Sequence, residues 1–124
     1  MKRFESKEDY LERILQISQV KENVHAIDIA REMNFSKPSV SVAMGKLKDE
    51  GLIEINEKGE ISLTSSGQEI AEKTLEKHTI LTKMLEFLGV SKETAALDAC
   101  RMEHDISDET WKAIKKHYDS LKKK

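Results

Sequence analysis

The chain has 124 residues, 35% of them charged and 38% hydrophobic, with five glycines, one proline, one cysteine and a formal net charge of −2. This balance points to a soluble, largely helical protein, one ordinary domain or two small ones sharing a core, and excludes a disordered or all-β chain. No apolar run approaches the roughly 20 residues that span a bilayer, the charged opening Met1-Lys2-Arg3-Phe4-Glu5 lacks the apolar stretch of a secretory signal, and a lone cysteine fits the reducing cytoplasm.

Ser6 is placed to cap a first helix that runs to about residue 21. Glu8 and Asp9 are its first-turn acids, where the helix dipole favours them. Tyr10, Leu11, Ile14, Leu15 and Ile17 form its apolar stripe, and Asp9 and Glu12, three apart, lie beside that stripe. A short helix over residues 25–34 turns Ile27, Ile29, Ala30 and Met33 inward. Ser36 caps a third helix, Pro38 fits its first turn, Val40, Ala43, Met44 and Leu47 face the core, and Gly51 ends it. Two short strands at residues 52–56 and 60–64, joined by Glu57-Lys58-Gly59, alternate as in a hairpin. Helix, turn, capped helix and hairpin in this order predict a winged helix-turn-helix over residues 1–66. Many such domains bind DNA, and some only mediate protein contacts.

Beyond it, residues 67–124 predict an all-helical domain, which makes the fold mainly α. Ser66 with Glu69 forms a capping-box pattern opening a long fourth helix. Its apolar positions are Ile70, Ala71, Leu75, Ile80, Leu81, Met84, Leu85 and Leu88, with His78 among them. Ser91 caps a fifth helix reaching about residue 105, and Ser107 caps a sixth ending near residue 121. Trp111, Ile114 and Tyr118 line that last helix, and Lys122-Lys123-Lys124 reads as a solvated end.

The chemistry concentrates in Cys100-Arg101-Met102-Glu103-His104. Positions i, i+3 and i+4 share a helix face, so a thiol, a carboxylate and an imidazole project together. With further ligands they can hold a divalent cation, and Asp9, Glu12 and His78 offer them. Each also has a plain structural reading. Glu103-His104 can be a surface pair complementing a helix dipole, Cys100 a small core residue, Asp9 a first-turn acid, and His78 a satisfied core or interface histidine.

Taken together these residues closely resemble the diphtheria-toxin-repressor family of metal-dependent transcriptional regulators, which has iron- and manganese-responsive branches. The resemblance runs to about Tyr118. It is carried by Glu8-Asp9-Tyr10-Leu11-Glu12, by Ser36-Lys37-Pro38-Ser39-Val40-Ser41, by Lys77-His78, and most specifically by Ala99-Cys100-Arg101-Met102-Glu103-His104-Asp105-Ile106-Ser107-Asp108. It implies a dimeric repressor that binds operator DNA when loaded with ferrous or manganous ion.

By the same resemblance Asp9, Glu12, His78, Glu103 and His104 fall on ligand positions of the manganese-responsive branch. Cys100 instead agrees with the iron-responsive branch, whose members have Met where this chain has Asp9. Thr82 and Ala96 fill positions of two ancillary ligands of the iron branch, and the β-barrel domain that follows in that branch is expected to be missing after Lys124. The short form is therefore manganese-regulator-like with a hybrid ligand set. Carboxylates suit Mn²⁺ and a thiolate shifts preference toward Fe²⁺, so Fe²⁺ is favoured with Mn²⁺ a close second.

A dedicated nucleic-acid binder is often strongly basic, so a sequence pI of about 6.1 counts mildly against DNA binding, though local charge matters more. Ser36, Lys37, Pro38, Ser39, Ser41 and Val42 lie near the start of the third helix, the end that enters the major groove in this class. Pro38 and Val42 suit thymine methyls, while Lys46, Lys48 and wing Lys58 suit phosphates or are ordinary solvated charge. Val42 stands where iron-responsive members use Gln, which implies a different operator. The expected protein is a cytoplasmic, metal-activated homodimeric repressor of metal-homeostasis genes, with operator DNA as partner and neither membrane nor small-molecule substrate. The alternative is a winged-helix interaction module or regulator with a structural or absent metal. A metal hydrolase using Glu103 as base is disfavoured, since no His-Glu-x-x-His helix is present.

Overall fold

The computed structural model describes residues 7–122, so the expected cap at Ser6 and the last two lysines lie outside the described residues. The chain divides into two compact units between residues 73 and 74.

The first unit contains α1 (Lys7–Ser18), α2 (Ala26–Met33), α3 (Lys37–Asp49), β1 (Ile53–Ile55), β2 (Ile61–Leu63) and the opening turns of α4 (Ser65–Phe87). This is the expected winged helix-turn-helix order. α1 packs against α2, α3 and β2, and Leu11, Ile14, Val24, Ile29, Val40 and Ile53 are fully buried in the core. Tyr10 meets Phe35 edge-on, with ring centroids 6.0 Å apart. Asp9 and Glu12 are buried on α1 together with the expected apolar stripe. Buried carboxylates persist only where hydrogen bonds or a cation compensate their charge.

Several local expectations change. α1 stops at Ser18, whose hydroxyl donates to the Leu15 carbonyl at 2.7 Å, and Val20 and Lys21 turn their N–H groups back onto the Ile17 carbonyl. In α2, Ile27 faces solvent and Asp28 is buried in its stead. The reason is electrostatic. The Asp28 carboxylate accepts from the His25 N–H at 2.9 Å and from Lys21 Nζ at 3.0 Å, with Arg31 at 3.5 Å. That cluster fixes which face of α2 turns inward. Asn34 then ends α2 in the left-handed region, at φ 58°.

The wing strands are three residues each rather than five, paired antiparallel with Glu54 opposite Ser62. Asn56 closes the turn by accepting the N–H groups of Lys58 and Glu60, both at 2.9 Å, and Gly59 supplies the positive φ of 79°. Val24 adds an unexpected bridge to Ile61, whose N–H donates to the Val24 carbonyl at 2.7 Å. The expected cap at Ser66 is displaced to Thr64. The Thr64 hydroxyl accepts from the Gly67 N–H at 3.2 Å and donates to the Gly51 carbonyl at 2.7 Å. Gly67 has no room for a side chain, because a β-carbon there would collide with the Leu52 carbonyl.

The second unit holds the rest of α4, α5 (Lys92–Met102) and α6 (Asp108–Lys122). Ser91 and Ser107 open α5 and α6, accepting from the Thr94 and Thr110 N–H groups at 3.3 and 3.1 Å. Ile80, Leu81, Ala95 and Ala99 are buried. Lys115 on α6 reaches Glu76 on α4 at 3.2 Å and Asp119 at 3.6 Å, and Phe87 stacks on Tyr118 with centroids 6.4 Å apart. Of the apolar positions expected on these helices, Leu81 is core, while Met84, Leu85 and Trp111 are half-buried. Leu88 is 77% exposed, and Phe87 and Leu97 are exposed as well.

The Asp28 cluster makes stability depend on pH. Burial works against ionisation of Asp28, but the hydrogen bond from the His25 N–H, the hydrogen bond and charge of Lys21 and the charge of Arg31 outweigh it. The carboxyl is thereby held below its ordinary value of 3.8. A lowered value means that the folded chain binds fewer protons than the unfolded one in this range. The stabilisation is therefore full above the ordinary value and lost as pH falls through the lowered one. Asp28→Asn is expected to cost about 1–3 kcal/mol at neutral pH and to flatten the acid limb of stability. Urea unfolding from about pH 7 down to about pH 3 checks this. An acid limb as steep in the variant as in the wild type would contradict it.

Candidate metal centre and nucleic-acid interface

In the first unit α3 has two unlike faces. Val40, Met44 and Leu47 are buried, whereas Ser36, Lys37, Pro38, Ser39, Ser41, Val42 and Lys46 are all exposed, as is Lys58 in the wing turn. Ser36 is the N-cap, its hydroxyl accepting from the Ser39 N–H at 3.3 Å and donating to the Ser39 hydroxyl at 2.9 Å. That pair anchors the start of the helix. Pro38 in the first turn removes no helical hydrogen bond. Val42 is 60% exposed, an apolar side chain largely open to solvent. The outward face thus mixes hydroxyls, one large apolar group and lysines, a set suited to phosphates and to base edges.

The second unit gathers His78, Glu103 and His104. Glu103 is 1% exposed. Its Oε1 lies 3.1 Å from His78 Nδ1 on α4, and its Oε2 lies 3.3 Å from His104 Nε2. The first contact is a hydrogen bond; Oε2 is buried with none. The segment is not helical throughout, contrary to the expected reach to residue 105. α5 ends at Met102, Glu103 is its C-cap with helical dihedrals, and His104 falls in the following turn. The Glu103 N–H still bonds the Ala99 carbonyl at 2.9 Å, so Cys100 and Glu103 keep their one-turn spacing. His104 reaches Glu103 from the turn instead of from the same helix face. Cys100 is half-buried on α5.

Two supporting contacts were not foreseen as such. Lys77 Nζ donates to the Glu103 carbonyl at 3.4 Å, and the Thr82 hydroxyl donates to the His78 carbonyl at 2.7 Å. Lys77 stands beside His78 in the sequence, which was the available signal. Thr82 caps a backbone carbonyl of its own helix. A buried carboxylate with two imidazoles and a thiol one turn away is a donor set that fits a divalent transition ion. An ion held by this set would compensate the burial of the carboxylate, one of whose oxygens lacks a hydrogen bond. Asp9 and Glu12 are carried by α1, in the other unit.

A recognition helix with a solvated reading face, in one chain with a helical unit that buries a carboxylate between imidazoles, is the make-up of metal-responsive DNA-binding regulators. Residues 3–61 match the N-terminal DNA binding domain of the iron dependent repressors, and residues 64–124 match their metal binding and dimerisation domain. An uncharacterized HTH-type transcriptional regulator of Methanocaldococcus jannaschii is 36% identical over 97% of this chain and 98% of its own length. The transcriptional regulator MntR of Escherichia coli is 34% identical over 87% of this chain and 70% of its own. Among solved structures, the manganese regulator SloR superposes with a TM-score of 0.81 at 28% identity, over 94% of this chain and 55% of that one. This chain thus spans about half the length of that solved relative. The chain belongs to the iron-dependent repressor family, the diphtheria-toxin-repressor family of transcriptional regulators. Among the described residues no helix is long and apolar enough to cross a membrane.

Glu103 is the centre of this donor set, so Glu103→Gln is expected to weaken Mn²⁺ or Fe²⁺ binding by about tenfold or more. Calorimetric titration measures it, with circular dichroism to verify the fold. Arg101→Gln, on an exposed side chain that pairs with Asp98, serves as control. Equal affinity of wild type and Glu103→Gln would remove Glu103 from the centre.

Proposed function

We propose that this chain is a metal-activated repressor that binds operator DNA as a homodimer in the cytoplasm and controls metal-homeostasis genes. The observation that carries the reading is the buried Glu103 carboxylate between His78 and His104, in the part of the chain that matches a metal-binding domain. Exposed Phe87, Leu88 and Leu97 in the same unit support self-association, since exposed apolar area is what a partner covers.

Asp9, Glu12, His78, Cys100, Glu103 and His104 would hold the ion. When bound, it supplies the positive charge that offsets three carboxylates and a thiolate. Asp9 and Glu12 belong to the DNA-binding unit and the other four ligands to the second unit, so ligation links the two. Ser36, Lys37, Pro38, Ser39, Ser41, Val42, Lys46 and Lys58 would meet the DNA. The serines and lysines bind phosphates, and Pro38 and Val42 pack on thymine methyls. Fe²⁺ is the favoured ion because Cys100 adds a soft thiolate, with Mn²⁺ next because the remaining acidic ligands are hard. The manganese regulator among the relatives supports the second choice.

The reading is tested by fluorescence anisotropy of a labelled promoter duplex with Fe²⁺, Mn²⁺ or a chelator. Metal is expected to tighten binding by about 5–150-fold, the usual size of such couplings. Affinity indifferent to metal and chelator would sink it. Cys100→Glu is expected to shift the response toward Mn²⁺; identical metal profiles would take Cys100 out of the selectivity.

A further inference from the structure

Gly45 stands inside α3, a helix of 13 residues, where glycine weakens a helix relative to alanine. Neither of the usual internal reasons for glycine applies. Its φ is not positive, unlike those of Gly51, Gly59 and Gly89, and beyond its chain neighbours and its own turn of helix backbone a β-carbon built on it would meet no heavy atom within 4 Å. Gly67 makes the contrast, because there the Leu52 carbonyl blocks a side chain. The cost at Gly45 therefore answers to something outside the folded chain.

Its place on the helix says what. Residues 38, 41, 42 and 45 recur at helical spacing, and Pro38, Ser41, Val42 and Gly45 are all exposed, opposite the buried Val40, Met44 and Leu47. Exposed Lys37, Lys46 and Lys48 lie on the same helix, and this charge suits a polyanion. Glycine is the residue that allows a backbone to approach a ligand closely. We propose that Gly45 is the point of closest approach of α3 to duplex DNA. Its missing side chain lets the helix lie against the wall of the major groove, with Val42 entering the groove beside it. The inference rests on the DNA-binding reading and adds the surface on which that binding depends.

The two readouts move in opposite directions. Gly45→Ala and Gly45→Leu are compared with wild type by thermal unfolding. Binding is measured at saturating Mn²⁺ to a duplex recovered by the wild-type chain from a random-sequence library. Gly45→Ala is expected to raise the unfolding temperature by about 2–6 °C and to weaken duplex binding about tenfold, a change of about 1.4 kcal/mol. Gly45→Leu should weaken binding further. Wild-type affinity in Gly45→Ala would overturn the inference and leave the DNA-binding reading standing. A lowered unfolding temperature in Gly45→Ala would also overturn it, by giving the glycine an internal role. A wild-type chain that recovers no duplex overturns the parent reading, and this one with it.

Discussion

A carboxylate taken out of water must be compensated, and the second unit is organised around one that is. Glu103 is buried at the end of α5, with an imidazole near each of its oxygens. Two imidazoles, and one lysine contact to its carbonyl, hold the group in place. A divalent cation would offset the charge of the carboxylate, and the half-buried thiol one turn earlier would offer a further donor. The caps of Ser91 and Ser107 fix where α5 begins and where α6 resumes. Between them the short turn at residues 103–105 delivers His104. The local fold thus positions the groups proposed as ligands around a buried carboxylate.

The first unit follows a different constraint, the division of α3 between core and solvent. Val40, Met44 and Leu47 secure the helix to the unit, while Pro38, Ser41, Val42, Gly45 and Lys46 are exposed on it. A core-facing stripe that narrow is enough because α2, α1 and β1 all pack on the helix. A valine and a glycine inside a helix each lower its intrinsic stability relative to alanine. Both sit on the face that the DNA-binding reading uses.

Much of the fold was legible because its signals are local chemistry. Ser36, Ser91 and Ser107 cap helices through a hydroxyl and an N–H three residues on, a geometry that sequence alone specifies. The run Thr64-Ser65-Ser66 offered three hydroxyls at once. Tertiary contacts chose among them, since Thr64 also donates to Gly51 and Gly67 must face Leu52. Ile27 was misplaced for a similar reason. Hydrophobic periodicity turns it inward, but Asp28, which has three charged or N–H partners, is buried together with Ile29 and Ala30, and that choice of inward face leaves Ile27 exposed. The proposed ligand set comes together as a set only through the family resemblance, because each residue alone has an ordinary structural role. The turn that carries His104 was hidden, as helix ends depend on capping and packing beyond the pattern.

The central claim is that metal binding and DNA binding are one coupled equilibrium. Coupling is reciprocal: if metal tightens DNA binding by a given factor, DNA must tighten metal binding by the same factor. The direct measurement is metal affinity, by competition with a chelator of known strength, with and without saturating promoter duplex. The account predicts tighter metal binding in the presence of the duplex, by the factor found in the DNA titration. Equal metal affinity with and without the duplex would contradict it.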